Sequence, residues 1–390
     1  MPATTSYADP ASGDRVDFAN TLRGIAAILV VVTHYFGVFF TTNLLRVIQV
    51  PPVDVARPPW LAWIFQVPQL NYGPIGVAIF FLVSGFVIPF SLAKLGAGRF
   101  LVARFFRLWP TYAVGFTLSV VALGALYANL DVKWPFTVVN ILVNYFISFR
   151  DLIGSPPIDG VVWTLEIEVK FYLLCALVAP LFRRYSMGVF LIPVALVGSF
   201  AFLVQSLGWL AAGIFRMPAF ALIYAIPYLT YMFVGTVFHY LHVGKLSAQK
   251  AIFLIAALYC AQIAMVLSGP NAGRIGEFWN YGYALLFFAF AAAFPGLFRR
   301  TAIGDFFASI SYPLYVIHNI VGYALFRIML NYGVPLWITM LTIVAVAIGL
   351  SWLLHRLVEV PSHKFGRRLV RERITPVPPA ASGASAPTLP

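Results

Sequence analysis

FANTLRGIAAILVVVTHYF, residues 18–36, is an apolar stretch long enough to cross a bilayer, and it carries an arginine and a histidine. Arg23 and His34 are 11 residues apart, close to a whole number of helical turns. Their side chains therefore share one helix face, about 16 Å apart along the axis. A cation and an imidazole are costly to place in lipid, so each needs a partner or a polar cavity. We interpret the pair as part of a site; the alternative is two ordinary interhelical hydrogen bonds.

The composition of the whole chain indicates a membrane protein. The 390 residues are 61% hydrophobic and only 10% charged, which is too apolar for a soluble domain of this length. The excess of 26 Lys and Arg over 13 Asp and Glu suggests a nucleic-acid partner at first. However, the basic residues occur in short clusters between apolar stretches, so they report membrane orientation and no nucleic acid is expected. Cys175 and Cys260 indicate no disulfide framework or metal site, and we interpret both as small core residues.

We predict an all-α fold, a polytopic transmembrane helical bundle of about ten spans. Ten crossings place both termini on one side, where 18 of the 26 Lys and Arg residues fall, against six on the other. Short loops rich in Lys and Arg stay in the cytoplasm. Both termini are therefore predicted to be cytoplasmic, in the cell inner (plasma) membrane. The predicted spans are roughly 19–41, 74–93, 108–129, 161–182, 187–206, 219–241, 249–268, 280–298, 306–330 and 335–357.

Three other segments divide the chain. Residues 136–149, FTVVNILVNYFISF, are too short to span comfortably and contain two asparagines, so we predict a re-entrant or interfacial helix. The first outer loop, about 42–73, is rich in proline, which predicts a folded lid or an interfacial segment. The Pro/Ala/Ser-rich end is predicted to be a disordered cytoplasmic tail. The resulting division is a cytoplasmic segment 1–15, a membrane domain 16–369 and a tail 370–390.

The second and third predicted spans carry a serine and two arginines. In GVAIFFLVSGF (76–86), the glycines let neighbouring helices approach, and Ser84 can form an interhelical hydrogen bond. Arg104 and Arg107 are three residues apart in RFLVARFFRLWP (99–110). Two guanidinium groups near a helix N-terminus favour a phosphate-bearing ligand. The alternative for both arginines is ordinary anchoring on the cytoplasmic side.

The fourth predicted span opens with VVWTLEIEVKFYL (161–173), which contains two acids. Glu166 and Lys170 are four residues apart and can pair, which removes much of the cost of burying either. Glu168 shares a helix face with Tyr172 and has no evident local partner, so it is the stronger functional candidate. The alternative for Glu168 is a structural ion pair with an arginine of another span.

The ninth predicted span carries ISYPLYVIHN (310–319). Ser311, Tyr315 and His318 have the spacing i, i+4, i+7 and form a polar stripe on one face. Pro313 removes a backbone donor and is expected to loosen the helix near Ser311. The other histidines lie at predicted cytoplasmic ends, where we interpret them as interfacial. They are His239, His242, His355 and His363.

Together these stretches resemble the acyltransferase-3 family of integral-membrane O-acyltransferases, over about residues 16–369. The resemblance rests on five motifs in the family's order: Arg-x10-His (Arg23, His34), the GVxxFFxxSGF of the second span, the Arg-x-x-Arg-x-x-Pro of 104–110, the Trp-Thr-Leu-x-x-Glu-x-x-Phe-Tyr of 163–172, and the Ser-Tyr-x-x-Tyr-x-x-His of 311–318. The chain departs from the family pattern at Asn20, Ala78 and Val169-Lys170. These departures bear on acceptor choice more than on reaction type.

Members of this family move acyl groups from a coenzyme A thioester to hydroxyls of sugars and other acceptors. The resemblance implies acyl-CoA as donor substrate, acetyl-CoA first, no permanently bound cofactor or metal, and a cell-surface polysaccharide as first choice of acceptor. We expect Arg23, Arg104 and Arg107 to hold the phosphates of acyl-CoA. We expect His34 to deprotonate the acceptor or to be acylated itself, and Glu168 to orient the imidazole or the acceptor. The remaining substrate-binding candidates are Ser84, Trp163, Tyr172, Ser311, Tyr315 and His318.

Two other functions fit some of these features. Prolines, a polar stripe and buried charges are also typical of a transporter or flippase of an amphiphilic or lipid-linked substrate. A non-catalytic membrane scaffold is the second alternative. The chain has no recognisable paired repeats, and Arg23 and His34 lie in register on one helix face, which favours the enzyme.

Overall fold

The computed structural model describes residues 17–41, 50, 55, 57–59, 61, 70–210 and 213–372. Helices make up the regular structure of this part, and no strand occurs in it. In chain order the helices of the first half are α1 (Asp17–Phe36), α2 (Tyr72–Lys94), α3 (Ala97–Leu130), α4 (Val138–Asn144), α5 (Val162–Leu177), α6 (Ala179–Arg183) and α7 (Leu191–Gln205). Those of the second half are α8 (Leu207–Leu210), α9 (Arg216–His242), α10 (Ala248–Ser268), α11 (Ile275–Ala293), α12 (Ala302–Asn331), α13 (Leu336–Leu354) and α14 (Val360–Glu372).

The helices confirm the predicted all-α polytopic bundle. Eight helical segments among the described residues are long and apolar enough to cross a membrane, and each coincides with a predicted span. The two remaining predicted spans are also helical. Residues 161–182 correspond to α5 and α6, of 16 and 5 residues, and 280–298 overlaps α11, whose first turns carry Glu277 and Asn280.

Three of the predicted segments lie wholly or mostly outside the described residues. Residues 1–15 and most of the loop predicted as a lid or an interfacial segment, 42–73, lie outside the described residues. The tail was predicted to begin at residue 370, and α14 ends at Glu372. The rest of the tail lies outside the described part.

The inner helices of the bundle are α1, α2, α9 and α12. Helix α1 packs between α2 and α12, α2 also contacts α9 and α11, and α12 also contacts α3 and α13. Helices α7, α10 and α13 are apolar all round and expose most of their surface, as expected where lipid is the solvent. Cys260 lies on α10 and is exposed, so its interpretation as a core residue is wrong, whereas Cys175 is buried. His239 was predicted to be interfacial but is fully buried.

Helices α2 and α9 meet backbone to backbone through two glycines. A Cβ atom built on Gly85 would overlap the carbonyl oxygen of Met232, and one built on Gly235 would overlap that of Leu82. The hydroxyl of Thr236 donates a hydrogen bond to the carbonyl oxygen of Gly85, at 3.2 Å. The close approach predicted for the glycines of the second span is therefore confirmed.

The segment after α3 turns back along α3. Residues 132–137 are extended, and the short helix α4 follows. The indole of Trp109 donates to the carbonyl oxygen of Tyr145 at 3.1 Å, and the Tyr112 hydroxyl donates to that of Asn144 at 2.7 Å. Since Trp109 and Tyr112 lie more than ten residues from the end of α3, the segment reaches its middle. Residues 132–160 therefore double back along α3, and we call them the re-entrant segment. Their placement in the membrane stays a prediction.

The buried ion pairs of α5 differ from the predicted one. Glu166 accepts two hydrogen bonds from Arg150, from Nε at 2.8 Å and Nη2 at 2.7 Å. Lys170 forms an ion pair with Asp151 at 2.5 Å. Its hydrogen bond to Glu166 goes to the backbone carbonyl oxygen, at 3.4 Å, and not to the carboxylate. The predicted Glu166–Lys170 pair is therefore wrong. The returning segment supplies closer partners, including a bidentate guanidinium, and both pairs tie it to α5.

Candidate active site

Five helices, α1, α2, α3, α5 and α12, surround an internal cavity of about 50 Å³. Its lining combines apolar side chains, most of them from α2, with polar and charged groups from all five helices. Six residues that the sequence singled out meet on this lining. They are Arg23, Ser84, Arg107, Glu168, Ser311 and Tyr315.

Glu168 accepts hydrogen bonds from two side chains at the cavity. Its Oε1 accepts a hydrogen bond from Ser84 Oγ at 3.0 Å and another from the Tyr172 hydroxyl. The interhelical bond predicted for Ser84 is thus confirmed, and the expectation that Glu168 has no local partner is wrong. Glu168 lines the same cavity as Arg23, whereas His34 does not line it. Because the cavity holds the guanidinium groups of Arg23 and Arg107 and one carboxylate, its charge favours an anion.

Arg104 lies apart from this cavity. Its Nη2 donates to Ser91 Oγ at 2.6 Å, and its guanidinium lies over the rings of Phe100 and Tyr172. Arg104 and Tyr172 line a separate, mostly apolar groove of about 700 Å³ between α3, α5 and the re-entrant segment. The structure therefore brings two of the three predicted phosphate-binding arginines into one cavity.

His34 and His318 form an edge-to-face pair with ring centroids 4.8 Å apart. His34 is half-buried, and His318 is fully buried. Neither lines the cavity directly, but Tyr315 does, and its ring centroid lies 5.8 Å from that of His318. The Tyr315 hydroxyl shares a hydrogen bond of 2.6 Å with Thr164. Tyr315 thus connects the cationic cavity to the histidine pair.

Comparison with known proteins decides the family. Residues 16–356 match a family described as an acyltransferase domain, acyltransferase 3. The chain belongs to the acyltransferase-3 family. This acyltransferase is 26% identical over 343 residues to nodulation protein 10 of Rhizobium leguminosarum bv. viciae, an alignment that covers 80% of this chain and 88% of that protein. No solved structure matches it. The fold and the family together show a multi-pass membrane enzyme of an O-acyltransferase family.

Trp163 lies at the edge of the acyltransferase site, and Ser311 lies on its lining. Trp163 packs against Phe81, a cavity residue, and against Tyr228, with ring centroids 6.4 and 5.3 Å away. Ser311 donates to the carbonyl oxygen of Ala308 at 2.8 Å. Helix α12 runs without interruption through Pro313.

Sequence reasoning missed two residues of the acyltransferase that lie beside the histidine pair. Asp159 is buried just before α5, and its Oδ1 accepts hydrogen bonds from Asn319 Nδ2 at 3.0 Å and from the Val161 amide at 3.1 Å. Burial raises the pKa of the Asp159 carboxyl to about 6, and the two hydrogen bonds oppose that rise. The adjacency of Asn319 to His318 was a signal for the amide. No local sequence pattern pointed to Asp159.

The described part of the acyltransferase contains no group of three or more His, Cys, Asp or Glu side chains placed to hold a metal ion.

Proposed function

We propose that this enzyme moves an acyl group, acetyl first, from acyl-CoA to a hydroxyl of a carbohydrate acceptor such as a cell-surface polysaccharide, in the cell inner membrane. The observation that carries the proposal is the arrangement along α1. Arg23 lines the cationic cavity, and His34 lies three turns further along the same unbroken helix, about 16 Å away.

The cationic cavity is the donor end of the proposed site. Arg23 and Arg107 are charged groups that suit phosphate oxygens, because a guanidinium donates several hydrogen bonds in a fixed plane. Glu168 is held in place by hydrogen bonds from Ser84 and Tyr172, and its charge offsets part of the repulsion between the two arginines. The extended pantetheine arm then carries the thioester toward Tyr315 and the histidine pair.

His34 is the reacting group of the proposal. As a general base it takes the proton of the acceptor hydroxyl while that oxygen attacks the thioester carbonyl carbon. The carbon–sulfur bond breaks, and the coenzyme A sulfur leaves as thiolate and takes up a proton. In the alternative order, His34 attacks first and carries the acyl group to the hydroxyl. Both orders conserve atoms and need the same unprotonated imidazole nitrogen.

A transport function is the remaining alternative for a bundle with buried charges. Membership of an acyltransferase family favours bond-making, and each of the five motifs contributes at least one residue to the lining of the cavity. Release of free coenzyme A thiol separates the two functions, because transport alone releases none.

The test uses the full-length purified protein with radiolabelled acetyl-CoA and an envelope polysaccharide fraction from cells that lack the gene. We expect free thiol and labelled polysaccharide to appear together, and His34→Ala to abolish both. His242→Ala is the matched control, because His242 is an exposed histidine at the end of α9. Full transfer by His34→Ala overturns the assignment of His34, and label without polysaccharide as acceptor overturns the acceptor class.

A further inference from the structure

Three buried polar atoms beside His34 have no hydrogen-bond partner. They are Nδ1 of His34, Nε2 of His318 and Oδ1 of Asn319. Burying a polar atom without a hydrogen bond costs free energy. The next question is which of the three atoms can donate a proton to the others.

His318 presents an acceptor to its neighbours. Its Nδ1 lies 3.0 Å from the carbonyl oxygen of Leu314 and 2.9 Å from that of Tyr315. A carbonyl oxygen only accepts, so Nδ1 carries the proton. In the neutral imidazole, Nε2 of His318 then carries a lone pair and acts as an acceptor. The His318 ring and the His34 ring are arranged edge-to-face.

Asn319 presents an acceptor as well. Its Nδ2 donates to Oδ1 of Asp159, which fixes the orientation of the amide and leaves Oδ1 of Asn319 as the free acceptor. Asn319 faces the imidazole of His34. The Val161 amide holds Asp159 in place, and a Cβ built on Gly160 would lie 3.3 Å from the amide nitrogen of Asn319, so the loop fits closely.

Two acceptors therefore neighbour the imidazole of His34, and Nδ1 is its buried nitrogen without a partner. Nδ1 of His34 satisfies them only when it carries the imidazole proton, which leaves Nε2 unprotonated. The Tyr35 hydroxyl is also buried without a partner, but it lies against Gly322, one turn beyond His318. The ring of His34 is half-buried, so its other edge is the accessible one.

We propose that Asp159 and Asn319 are positioning residues that hold the proton of His34 on Nδ1 and leave Nε2 free to act on the substrate. Asp159 acts through Asn319, and His318 supplies the second acceptor. The catalytic consequence rests on the proposed role of His34, whereas the tautomer itself does not.

The tautomer is measured by NMR on the purified protein with ¹⁵N-labelled histidine, with the His34 signals identified by their loss in His34→Gln. We expect a protonated Nδ1 and an unprotonated Nε2 in the unaltered protein. Asp159→Ala and Asn319→Ala should produce a mixture of the two tautomers. Asp159→Asn should preserve the tautomer, because both hydrogen bonds to Asp159 end on one oxygen that asparagine retains. A protonated Nε2 in the unaltered protein overturns the proposal without reference to any variant.

Kinetics test the consequence. We expect Asp159→Ala and Asn319→Ala to lower kcat about 10²-fold with the KM for acyl-CoA nearly unchanged, because they misplace the imidazole and leave the arginines intact. Asp159→Asn should stay within about threefold of the unaltered enzyme. Glu277→Ala, which removes an exposed acid, is the control. Unchanged kcat in Asp159→Ala contradicts the positioning role, whereas an unaltered protein with the Nδ1-protonated tautomer and no acyl transfer refutes the proposed function alone.

Discussion

Arg23 and Arg107 place two positive charges in a cavity that contains one carboxylate, that of Glu168. Each guanidinium has lost part of its hydration, and Glu168 offsets only one of the two positive charges, so the cavity has a demand for further negative charge. A phosphate meets that demand with charge-assisted hydrogen bonds. The two arginines should therefore affect donor binding more than the chemical step.

We predict that Arg23→Ala and Arg107→Ala each raise the KM for acyl-CoA about 10- to 100-fold, since a hydrogen bond to a charged group contributes about 1.5–3 kcal/mol. The effect on kcat should be smaller. Initial rates of thiol release across a range of acyl-CoA concentrations measure both constants. Arg300→Ala is the control, because Arg300 is exposed and paired with Asp305. A loss of kcat at constant KM would contradict phosphate binding by these arginines.

At the residue scale, spacing along α5 predicted one of two i, i+4 contacts and could not identify the partners that come from other elements. The i, i+4 relation of Glu168 and Tyr172 produced a hydrogen bond, and Ser84 found an interhelical partner. The same relation between Glu166 and Lys170 did not produce an ion pair, because Arg150 and Asp151 compete successfully for them. Those partners come from the re-entrant segment, and no local sequence pattern shows how deep that segment lies in the bundle.

At the scale of elements, the re-entrant segment and α5 are joined by charge pairs inside an apolar bundle. The side chains of Arg150 and Glu166 are only 10% and 4% exposed. Breaking such a pair leaves one buried charge without compensation. The segment also forms one wall of the apolar groove beside Arg104.

We predict that Glu166→Gln lowers the free energy of unfolding by about 3–5 kcal/mol, because it leaves the guanidinium of Arg150 buried and unpaired. Glu277→Gln is the matched control. It breaks the Arg274–Glu277 pair, whose side chains are each 41% exposed, and should cost at most about 1 kcal/mol. Thermal unfolding in detergent compares the two variants. Equal shifts in Tm would show that the Arg150–Glu166 pair does not hold the segment.

A second element-scale prediction concerns the contact between α2 and α9. Gly85→Ala and Gly235→Ala each place a methyl group on the facing backbone, so the helices must separate, at a cost of about 1–3 kcal/mol. Gly124→Ala is the control in α3, where a Cβ meets nothing within 4 Å, and it should be neutral or stabilising by up to about 1 kcal/mol. Tm in detergent measures the difference. A Gly85→Ala protein as stable as Gly124→Ala would contradict the close approach.

At the scale of the whole molecule, hydropathy predicted the helices well because a membrane span must satisfy its own backbone hydrogen bonds. The ten predicted spans all correspond to helices. Hydropathy could not identify every central helix, since the inner helix α2 is as apolar as the lipid-facing helix α7. It also could not show that Tyr315 lies between the cavity and the histidine pair, or that Asp159 reaches Asn319.

Membrane orientation is the molecule-scale prediction that follows from charge. With both termini cytoplasmic, the end of α3 lies outside and the start of α10 lies inside. In a Cys260→Ala background, where the remaining Cys175 is buried, we introduce Lys133→Cys after α3 or Lys250→Cys in the first turn of α10. Both positions are exposed. A membrane-impermeant maleimide should label Lys133→Cys in intact cells and label Lys250→Cys only after permeabilisation. The opposite pattern would show that the bundle has the inverted orientation, with Arg23 and Arg107 on the side away from cytoplasmic acyl-CoA. That result would contradict the proposed path of the donor.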